Sequence, residues 1–296
     1  MRNRIVFLLG LLFIVSTLST TFSGCSTPAV KYPPKADFRA SKTATIARDT
    51  ISFTDLSTNA PIGWYWSFPG AVPSISKDKR PVVKYEKAGV YSVSLLSYNN
   101  DGSSHISKTS YITITYKTGT FTDTRDNHTY KTILLGDQTW MSENLDYNIT
   151  GSWYYDGDET TNKAYGRLYT YDAAMLAAPA GWHLAFEADW VGLIDFLGIG
   201  GDNTSTGTFL KEQGTTHWTS PNVGDSNSIG FNGLPGGYKA EAGTYSDKGA
   251  KGYFWTADAV SDQSAKYRYL SNDNGALKQN TMYRVSGLSA RCIKDK

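Results

Sequence analysis

Three consecutive aromatic residues, Trp153, Tyr154 and Tyr155, precede Asp156 and Asp158 in a segment with glycines on both sides. In an extended segment successive side chains point to opposite faces, so the three rings cannot all enter one core. A ring that points outward offers a flat apolar face, and a carboxylate beside it accepts hydrogen bonds from hydroxyl groups. This combination suits a sugar ring, and we predict a ligand site here. The competing interpretation is a loop whose rings pack against their own domain.

His217 and Trp218 are the second candidate pair. They lie in a loop rich in glycine and threonine, where both side chains could contact a ligand. Trp218 also forms a second, weaker set with Tyr267 and Tyr269. The two tyrosines are two apart on a strand and share one face, and that face is as easily the core. We therefore predict a ligand site that combines residues 153–158 with His217 and Trp218.

The sequence contains no set of residues that would carry out catalysis. None of the four histidines stands at metal-ligand spacing from another: His105, His128, His183 and His217. There is neither a Gly-x-Ser-x-Gly nucleophile motif nor a phosphate-binding glycine loop. We predict a protein that is not an enzyme and that uses no cofactor or metal. His183 is expected to form hydrogen bonds within the core of the fold.

Two oxygen-rich loops keep a calcium site open as an alternative. Residues 156–159 and 272–274 combine acidic and amide side chains with backbone carbonyls, all of which calcium accepts as ligands. Solvated turns have the same composition and need no ion.

The overall composition limits both the fold and the partners. The formal net charge is +2, and the 29 basic and 27 acidic residues are scattered, so no strong field attracts nucleic acid. Aromatic residues make up 14% of the chain and there are 28 glycines, which indicates a β-rich protein with many turns. The length suggests two domains after an N-terminal signal.

The N-terminal segment has the features of a secretory signal. Two arginines lie within residues 1–4, an apolar run covers residues 5–15, and small residues precede Cys25. This run is too short to span a membrane, which takes about 20 residues. The Ser-Gly before Cys25 resembles the lipobox of bacterial lipoproteins, which implies lipidation of Cys25. A signal without lipidation is the alternative, since Phe22 stands where leucine is usual.

Lipidation of Cys25 would place the protein in the bacterial cell envelope as an outer-membrane lipoprotein. Residues 26–35 contain three prolines and would form a short, stiff tether. The surface-export signal of Bacteroidetes lipoproteins is an acidic cluster just after the cysteine, and residues 26–31 contain no acidic residue.

Residues 36–117 alternate apolar and polar positions in short runs separated by turn signals, which predicts a β-sandwich. Trp64, Trp66 and Phe68 share one face. The segment resembles the PKD family of Ig-like domains, on motifs that include Phe53-Thr54-Asp55, Trp66-Ser67-Phe68 and Gly89-Val90-Tyr91-Ser92-Val93. The resemblance implies that Trp66 and Tyr91 are core residues.

Residues 118–296 have a mixed pattern that predicts an α+β domain. Gly136-Asp137 between two apolar runs predicts a hairpin over residues 130–141. Residues 164–178 and 187–198 are compatible with helices, and Trp190, Leu193, Ile194 and Leu197 form one helical stripe. Further strands are expected over residues 252–256, 266–270 and 288–293.

This second segment resembles the Fibrobacter succinogenes major paralogous domain. The motifs include Asp123-x-Arg125-Asp126, Gly136-Asp137-Gln138-Thr139-Trp140-Met141, Pro179-Ala180-Gly181-Trp182-His183-Leu184 and Ala290-Arg291-Cys292-Ile293. That family is similar to the C-type lectin-like folds, so the resemblance implies that the first and last strands meet and leave a long loop region for ligands. It implies a bacterial lipoprotein but no specific activity.

Two departures from the family pattern concern stability. The family usually has a cysteine where Ala178 stands and pairs it with the equivalent of Cys292, so the resemblance implies that Cys292 is unpaired. Loss of such a bridge forfeits about 3–5 kcal/mol in the chain-entropy model. The family also has a proline and a Ser or Thr cap after Leu184. Here Ala185 and Phe186 follow, so we expect a less well capped helix.

We therefore predict a non-catalytic, envelope-anchored lipoprotein that binds a polysaccharide or a surface protein through its C-terminal domain, with the PKD domain as a spacer. The alternative is a structural subunit of a surface or adhesion assembly, in which the thiol of Cys292 and open sheet edges would serve association. An enzyme is the third and least supported interpretation.

Overall fold

The computed structural model describes residues 30–198 and 204–296. The predicted signal peptide and the lipidation site Cys25 lie outside these residues. Within them, no helix has the length and apolar character needed to cross a membrane. The described chain forms an N-terminal sandwich of two sheets, followed by a C-terminal unit that combines three sheets with short helices.

The N-terminal sandwich is built from short antiparallel strands and one parallel pair. The strands are β1 (Phe38–Ala40), β2 (Ala44–Ile46), β3 (Thr50–Asp55), β4 (Gly63–Ser67), β5 (Ala71–Val72), β6 (Ile75–Ser76), β7 (Val82–Tyr85), β8 (Gly89–Asn99) and β9 (Gly102–Thr115). One sheet has the order β1-β3-β7-β5 and the other the order β2-β9-β8-β4-β6. The predicted β-sandwich is confirmed at this level of architecture.

Aromatic rings fill the space between the two sheets. The ring centroid of Trp66 lies 5.3 Å from that of Phe38 and 5.7 Å from that of Phe68. Such pairs contribute about 1 kcal/mol each beyond the burial of their area. The shared face of Trp64, Trp66 and Phe68 is confirmed, although Trp64 is only half-buried. Tyr91 packs at the edge of this core.

A single residue separates the sandwich from the C-terminal unit. Strand β9 ends at Thr115, Tyr116 follows, and β10 (Lys117–Thr122) belongs to the next sheet. The ring of Tyr116 packs 5.8 Å from that of Phe196. Beside it, the guanidinium of Arg48 donates a hydrogen bond to the carboxylate of Asp137 at 2.6 Å. The two units therefore contact each other next to this connection.

The C-terminal unit contains the remaining strands and the helices. The strands are β11 (Thr129–Leu135), β12 (Gln138–Met141), β13 (Ser152–Trp153), β14 (Leu168–Tyr169), β15 (Trp182–Leu184), β16 (Tyr238–Lys239), β17 (Tyr245–Ser246), β18 (Lys251–Ala259), β19 (Ser264–Ser271), β20 (Lys278–Tyr283), β21 (Leu288–Ser289) and β22 (Cys292–Lys294). The helices are α1 (Glu159–Asn162), α2 (Tyr171–Ala177), α3 (Glu187–Leu197) and α4 (Thr206–Leu210).

The last strand of the chain lies beside the first hairpin of this unit. The sheet orders are β10-β11-β12-β22-β15, β13-β14-β21-β18-β19-β20 and β16-β17. Trp140 of β12 pairs with Ile293 of β22. The predicted hairpin is confirmed, because Leu135 of β11 stands opposite Gln138 of β12 across the Gly136-Asp137 turn.

A buried arginine joins three segments of the C-terminal core. Arg291 donates hydrogen bonds to the carbonyls of Met141 and Phe231 and to Oδ1 of Asn144, at 3.0, 2.6 and 2.7 Å. Its guanidinium also lies 4.2 Å from the ring of Phe231. Burial lowers the pKa of Arg291 to about 9. The residue acts as a polar cross-link within the C-terminal core.

The helix predicted over residues 187–198 is confirmed as α3, with Trp190, Leu193 and Ile194 buried. The expectation that this helix is poorly capped is wrong, because two carboxylates take the place of a Ser or Thr cap. The amide of Phe186 donates to the carboxylate of Asp189 at 2.8 Å, and Asp258 likewise accepts from the first helical amide at 2.6 Å.

The helix predicted over residues 164–178 is wrong in its first half. A 3₁₀ turn covers Lys163–Tyr165, strand β14 follows, and only α2 is helical. Gly166 has φ +68°, which ends the turn, and a Cβ there would lie 2.8 Å from the Leu145 carbonyl oxygen. The hydroxyl oxygen of Thr170 then accepts a hydrogen bond from the amide of Ala173 at 3.2 Å, so Thr170 is the N-cap of α2.

Candidate functional site

The predicted segment at residues 153–158 folds as a strand end followed by a tight turn. Trp153 ends β13, which pairs with β14. A 3₁₀ turn covers Tyr155–Gly157, and within it Asp156 has φ +52°. The carboxylate of Asp158 accepts hydrogen bonds from the amide and the hydroxyl of Thr161, at 3.3 and 2.6 Å. Asp158 is therefore engaged as the N-cap of α1, which explains one of the two oxygen-rich loops without a cation.

The rings on the outer side of this segment meet the β16–β17 hairpin. The Nζ of Lys239 lies 4.3 Å from the ring centroid of Trp153. The ring centroids of Tyr155 and Tyr245 are 5.1 Å apart, and the Nζ of Lys248 lies 5.0 Å from the Tyr155 ring. All three rings are half-buried. We call these five residues the aromatic–lysine patch.

The two lysines of the patch and the neighbouring Asp156 carry charges of opposite sign. Burial raises the pKa of both of its tyrosines, and the negative charge of the exposed Asp156 raises both further. The ammonium of Lys248 donates to the amide oxygen of Asn162 at 2.8 Å. In the described part of the chain, neither lysine of the patch has a carboxylate oxygen within 4.0 Å. The arrangement can stack on a ligand and form charge-assisted hydrogen bonds with it.

Tyr154 faces the opposite way and is buried, with 7% of its side chain exposed. Its hydroxyl donates to the carboxylate of Asp146 at 3.2 Å, and the guanidinium of Arg167 lies 4.2 Å from its ring. Burial raises the pKa of Tyr154 well above its usual value. This corrects the expectation that Tyr154 contacts a ligand, because a ligand on the surface cannot reach the ring.

A polar cleft of about 380 Å³ includes in its lining Asp146, the hydrogen-bond partner of Tyr154. Asp146, Glu143 and Glu212 contribute carboxylates to its lining, and Lys163 contributes an ammonium group. Burial raises the pKa of Asp146, and its Oδ1 has no hydrogen-bond partner among the described residues. The residues that line the cleft lie outside residues 153–158, and the hydrogen bond from Tyr154 to Asp146 connects this segment to the cleft.

His217 and Trp218 are not part of the aromatic–lysine patch. The Nδ1 of His217 lies 2.8 Å from the Glu212 carboxylate, and its ring packs 5.3 Å from that of Tyr165. His217 thereby positions a side chain of the cleft. Trp218 is 1% exposed and its indole N–H donates to the Gly233 carbonyl at 3.0 Å. The predicted ligand contact at Trp218 is corrected for the same reason as at Tyr154.

The weaker tyrosine set belongs to the core. Tyr267 is buried and Tyr269 is half-buried, and both rings pack against Tyr253, at centroid distances of 5.5 and 5.8 Å. The interpretation of these two residues as core residues is the one that the structure supports.

The second oxygen-rich loop already holds a positive charge from the protein itself. The ammonium of Lys211 donates to the carbonyls of Val223, Ser271 and Asn274, at 2.5, 2.9 and 2.9 Å. Burial lowers the pKa of Lys211 to about 8. Across residues 30–198 and 204–296, no three His, Cys, Asp or Glu side chains are grouped as metal ligands.

Cys292 is a free, fully buried thiol that packs in the same core as Ala178. Burial raises the pKa of Cys292 to about 12. A thiol in this state is neither ionised nor accessible, so the suggestion that Cys292 serves association between chains is corrected.

His183 forms hydrogen bonds within the fold, but it is half-buried and is not the core residue that the sequence led us to expect. Its Nδ1 lies 2.7 Å from the carboxylate of Asp295, and its Nε2 lies 3.1 Å from that of Asp189. The histidine thus ties the C-terminal end of the chain to the first turn of α3.

Three residues of the patch were not predicted from the sequence: Lys239, Tyr245 and Lys248. Lys239 and Tyr245 stand opposite each other in the β16–β17 hairpin. A tyrosine on each side of a short glycine-containing turn is the local signal that could have indicated this hairpin. Nothing in the local sequence indicates that the hairpin packs on Trp153, more than 80 residues earlier.

Comparison with known proteins identifies the family to which the C-terminal unit is similar. The model of the Fibrobacter succinogenes major domain matches residues 133–294, which is more than half of the chain. A search of curated proteins gave no match. One similar solved structure is the solution NMR structure of a Methanosarcina mazei protein from a structural genomics consortium. It is 22% identical, the alignment covers 38% of this chain and 78% of that one, and the TM-score is 0.23. A similarity at this score supports no inference about fold or function.

Proposed function

This chain belongs to the Fibrobacter succinogenes major domain family, and on that premise we propose that it is a non-catalytic lipoprotein of the bacterial cell envelope that binds glycan. The aromatic–lysine patch is the proposed binding surface. Cys25 is the proposed lipid anchor, and the N-terminal sandwich, which resembles a PKD domain, is the proposed spacer between the outer membrane and the C-terminal domain.

The observation that carries the proposal is the grouping of Trp153, Tyr155 and Tyr245 on one surface. Each ring is half-buried, so each keeps part of its surface available while its position is fixed by packing. Rings held in this way lose little conformational freedom on binding, and they offer apolar area to the faces of sugar rings. Asp156 and the two lysines supply polar groups at the rim.

The spacer role is supported by the junction between the two units. Strand β9 continues into β10 after one residue, and contacts such as Arg48–Asp137 lie beside it. A connection of this kind restricts the angle between the units far more than a flexible linker would. The described end of the tether is held to the sandwich, because the amide of Tyr32 donates to the carboxylate of Asp101 at 3.1 Å and the side-chain amide of Asn59 donates to the Pro33 carbonyl at 2.8 Å.

A glycan array tests the proposed binding surface. We would probe residues 26–296 with the wild-type chain and with the Trp153→Ala and Tyr155→Ala variants. Tyr283→Ala is the matched control, because Tyr283 is 57% exposed on the same unit and lies outside the patch. We expect binding that both patch variants weaken and the control retains. Absence of binding to every glycan, or equal binding by all four proteins, would refute the assignment.

Metabolic labelling tests the proposed anchor. Cells that express the full-length chain are grown with an alkyne-tagged fatty acid, and the protein is isolated from the membrane fraction. We expect label on the wild-type chain and none on the Cys25→Ser variant. Cys292→Ser is the control for the second cysteine and should be labelled like the wild type. An unlabelled wild-type chain would contradict lipidation.

A subunit of a surface assembly is the second candidate, and one feature favours it. Strand β20 (Lys278–Tyr283) is the outer strand of the six-stranded sheet, and most of its residues are exposed. An outer strand can pair with a strand from another chain. Pull-down from native membranes distinguishes the candidates, since a stoichiometric protein partner favours assembly and a monomer that binds polysaccharide favours recognition.

A further inference from the structure

We propose that the glycan bound at the aromatic–lysine patch is anionic and carries carboxylate or sulfate groups along its chain. This inference rests on the proposed function and specifies the class of ligand. It follows from two observations: the two lysines of the patch are held in place by rings and by a neutral amide, and neither forms an ion pair with a described carboxylate.

Lys239 is positioned by rings instead of by an acid. Its Nζ lies 4.3 Å from the centroid of Trp153 and 6.0 Å from that of Tyr245. A cation over an aromatic ring keeps its full charge, because the ring attracts it through a quadrupole and accepts no proton. The ammonium group is therefore held next to the proposed sugar-stacking surface and is free to meet an anion.

Lys248 is anchored by a neutral group. Its ammonium donates to Oδ1 of Asn162 at 2.8 Å and lies 5.0 Å from the Tyr155 ring. Asn162 is 1% exposed, and its own amide group donates to the carbonyls of Tyr155 and Asp158 at 2.9 and 3.0 Å. This network fixes the position of the lysine without cancelling its charge. The order needed for a charge-assisted contact is thus present before a ligand arrives.

The nearest acidic residue in the sequence is occupied elsewhere. The carboxylate of Asp247 accepts from the ammonium of Lys251 at 3.1 Å and from the hydroxyl of Tyr253 at 2.5 Å. Among the described residues, no carboxylate oxygen lies within 4.0 Å of the Lys248 ammonium, although its charge also acts on the carboxylate of Asp158 from a greater distance. Two ammonium groups beside three rings suit a polymer that presents repeated anionic groups along its chain.

The negative charge of Asp156 opposes the binding of an anionic ligand. Variants of Asp156 and of the lysines should therefore change the affinity in opposite directions. Asp156 is exposed in the turn between the rings, and its charge acts on both Tyr155 and Tyr245. An anionic ligand is repelled by this carboxylate, whereas a neutral ligand is not. Removing the charge of Asp156 should therefore strengthen binding of an anionic glycan, while removing the charge of either lysine should weaken it.

The experiment compares polymers that differ in charge alone. Polygalacturonate and its fully methyl-esterified form share one backbone, as do sulfated carrageenan and its chemically desulfated form, so the two pairs test carboxylate and sulfate separately. Binding to residues 26–296 is measured by biolayer interferometry at low and moderate salt. We expect at least one anionic polymer to bind about tenfold or more tightly than its neutral partner, and we expect salt to weaken that binding.

The variants then assign the effect to the patch. Lys239→Gln and Lys248→Gln should each weaken binding of the anionic polymer severalfold, and Asp156→Asn should strengthen it. Lys278→Gln is the matched control, since its ammonium lies 5.9 Å over the ring of Tyr269 on the same unit but outside the patch. It should bind as the wild type does.

The outcomes separate this inference from the proposed function. Binding of neutral and anionic polymers with equal affinity, still lost in Trp153→Ala, would overturn the anionic preference and keep glycan recognition. Binding that neither Trp153→Ala nor the lysine variants alter would overturn both. Absence of binding to all four polymers, when the array identifies a neutral glycan that depends on Trp153, would overturn the anionic class alone.

Discussion

The ammonium of Lys211 donates a hydrogen bond to the carbonyl of Asn274 at 2.9 Å, inside the loop whose composition is typical of a cation site. Two further carbonyls, from Val223 and Ser271, accept from the same ammonium group. A side chain of the protein thus supplies a positive charge beside this loop and binds one of its carbonyls.

Replacing Lys211 with Met should destabilise the C-terminal unit. The variant leaves the three carbonyls without their donor, and each unsatisfied buried group costs roughly 1–3 kcal/mol. We expect a fall in Tm of several degrees or more by calorimetry, with Lys278→Met, which changes an exposed lysine, close to the wild type. Calcium should leave the wild-type Tm unchanged. A wild-type Tm that rises with calcium, or an unaltered Tm in Lys211→Met, would contradict this account.

The Asp123-x-Arg125 motif predicts how stability changes in acid. Arg125 donates to both carboxylate oxygens of Asp123, at 2.9 and 2.6 Å, and also to the Ala177 carbonyl at the end of α2. The hydrogen bonds from Arg125 lower the pKa of Asp123 below its ordinary value. The folded chain therefore binds this proton less readily than the unfolded chain. The stabilisation is present above about pH 4 and is lost as pH falls through the lowered pKa.

Asp123→Asn should remove this dependence and lower the free energy of unfolding by about 2 kcal/mol at neutral pH. Urea unfolding at pH 7 and pH 3 measures both effects. The difference between the wild type and Asp123→Asn should shrink at pH 3. The control is Asp262→Asn, which changes an exposed carboxylate and should leave the pH profile intact. Parallel profiles for wild type and Asp123→Asn would show that the motif has no such role.

The buried thiol of Cys292 should be unreactive in the native state. Its burial and its pKa of about 12 predict no modification by a thiol reagent in buffer and full modification in denaturant. Restoring the family's second cysteine by Ala178→Cys should allow a bridge to Cys292, since both positions pack in one core. The bridge should stabilise the chain by about 3 kcal/mol or more. Two free thiols in the purified, oxidised variant would contradict the pairing.

Local patterns in the sequence predicted the parts of the fold that depend on neighbouring residues. The Gly136-Asp137 turn gave the β11–β12 hairpin, and the stripe of Trp190, Leu193 and Ile194 gave α3. The helix predicted over residues 164–178 failed because its composition is compatible with a helix, while the left-handed Gly166 and the pairing of β14 with β21 are imposed by distant contacts.

The same distinction applies to the candidate site. Alternation along residues 153–155 predicted that the rings would face opposite ways, and it correctly implied that at least one would turn outward. It could not identify Tyr154 as the buried ring, because that depends on Asp146 and Arg167. The β16–β17 hairpin reaches Trp153 only through tertiary packing, so neither Lys239 nor Tyr245 could be predicted.

Tyr245 offers the most direct test of the claim that the aromatic–lysine patch binds glycan. It is distant in sequence from Trp153 and Tyr155, and only the tertiary structure brings it beside them. The measurement is isothermal titration of the wild type and of Tyr245→Ala with the glycan that binds best on the array, with Tyr283→Ala as the control. We predict affinity at least about tenfold weaker for Tyr245→Ala, with an unchanged Tm and a control that binds like the wild type. Equal affinity of the wild type and Tyr245→Ala would contradict glycan recognition by this patch.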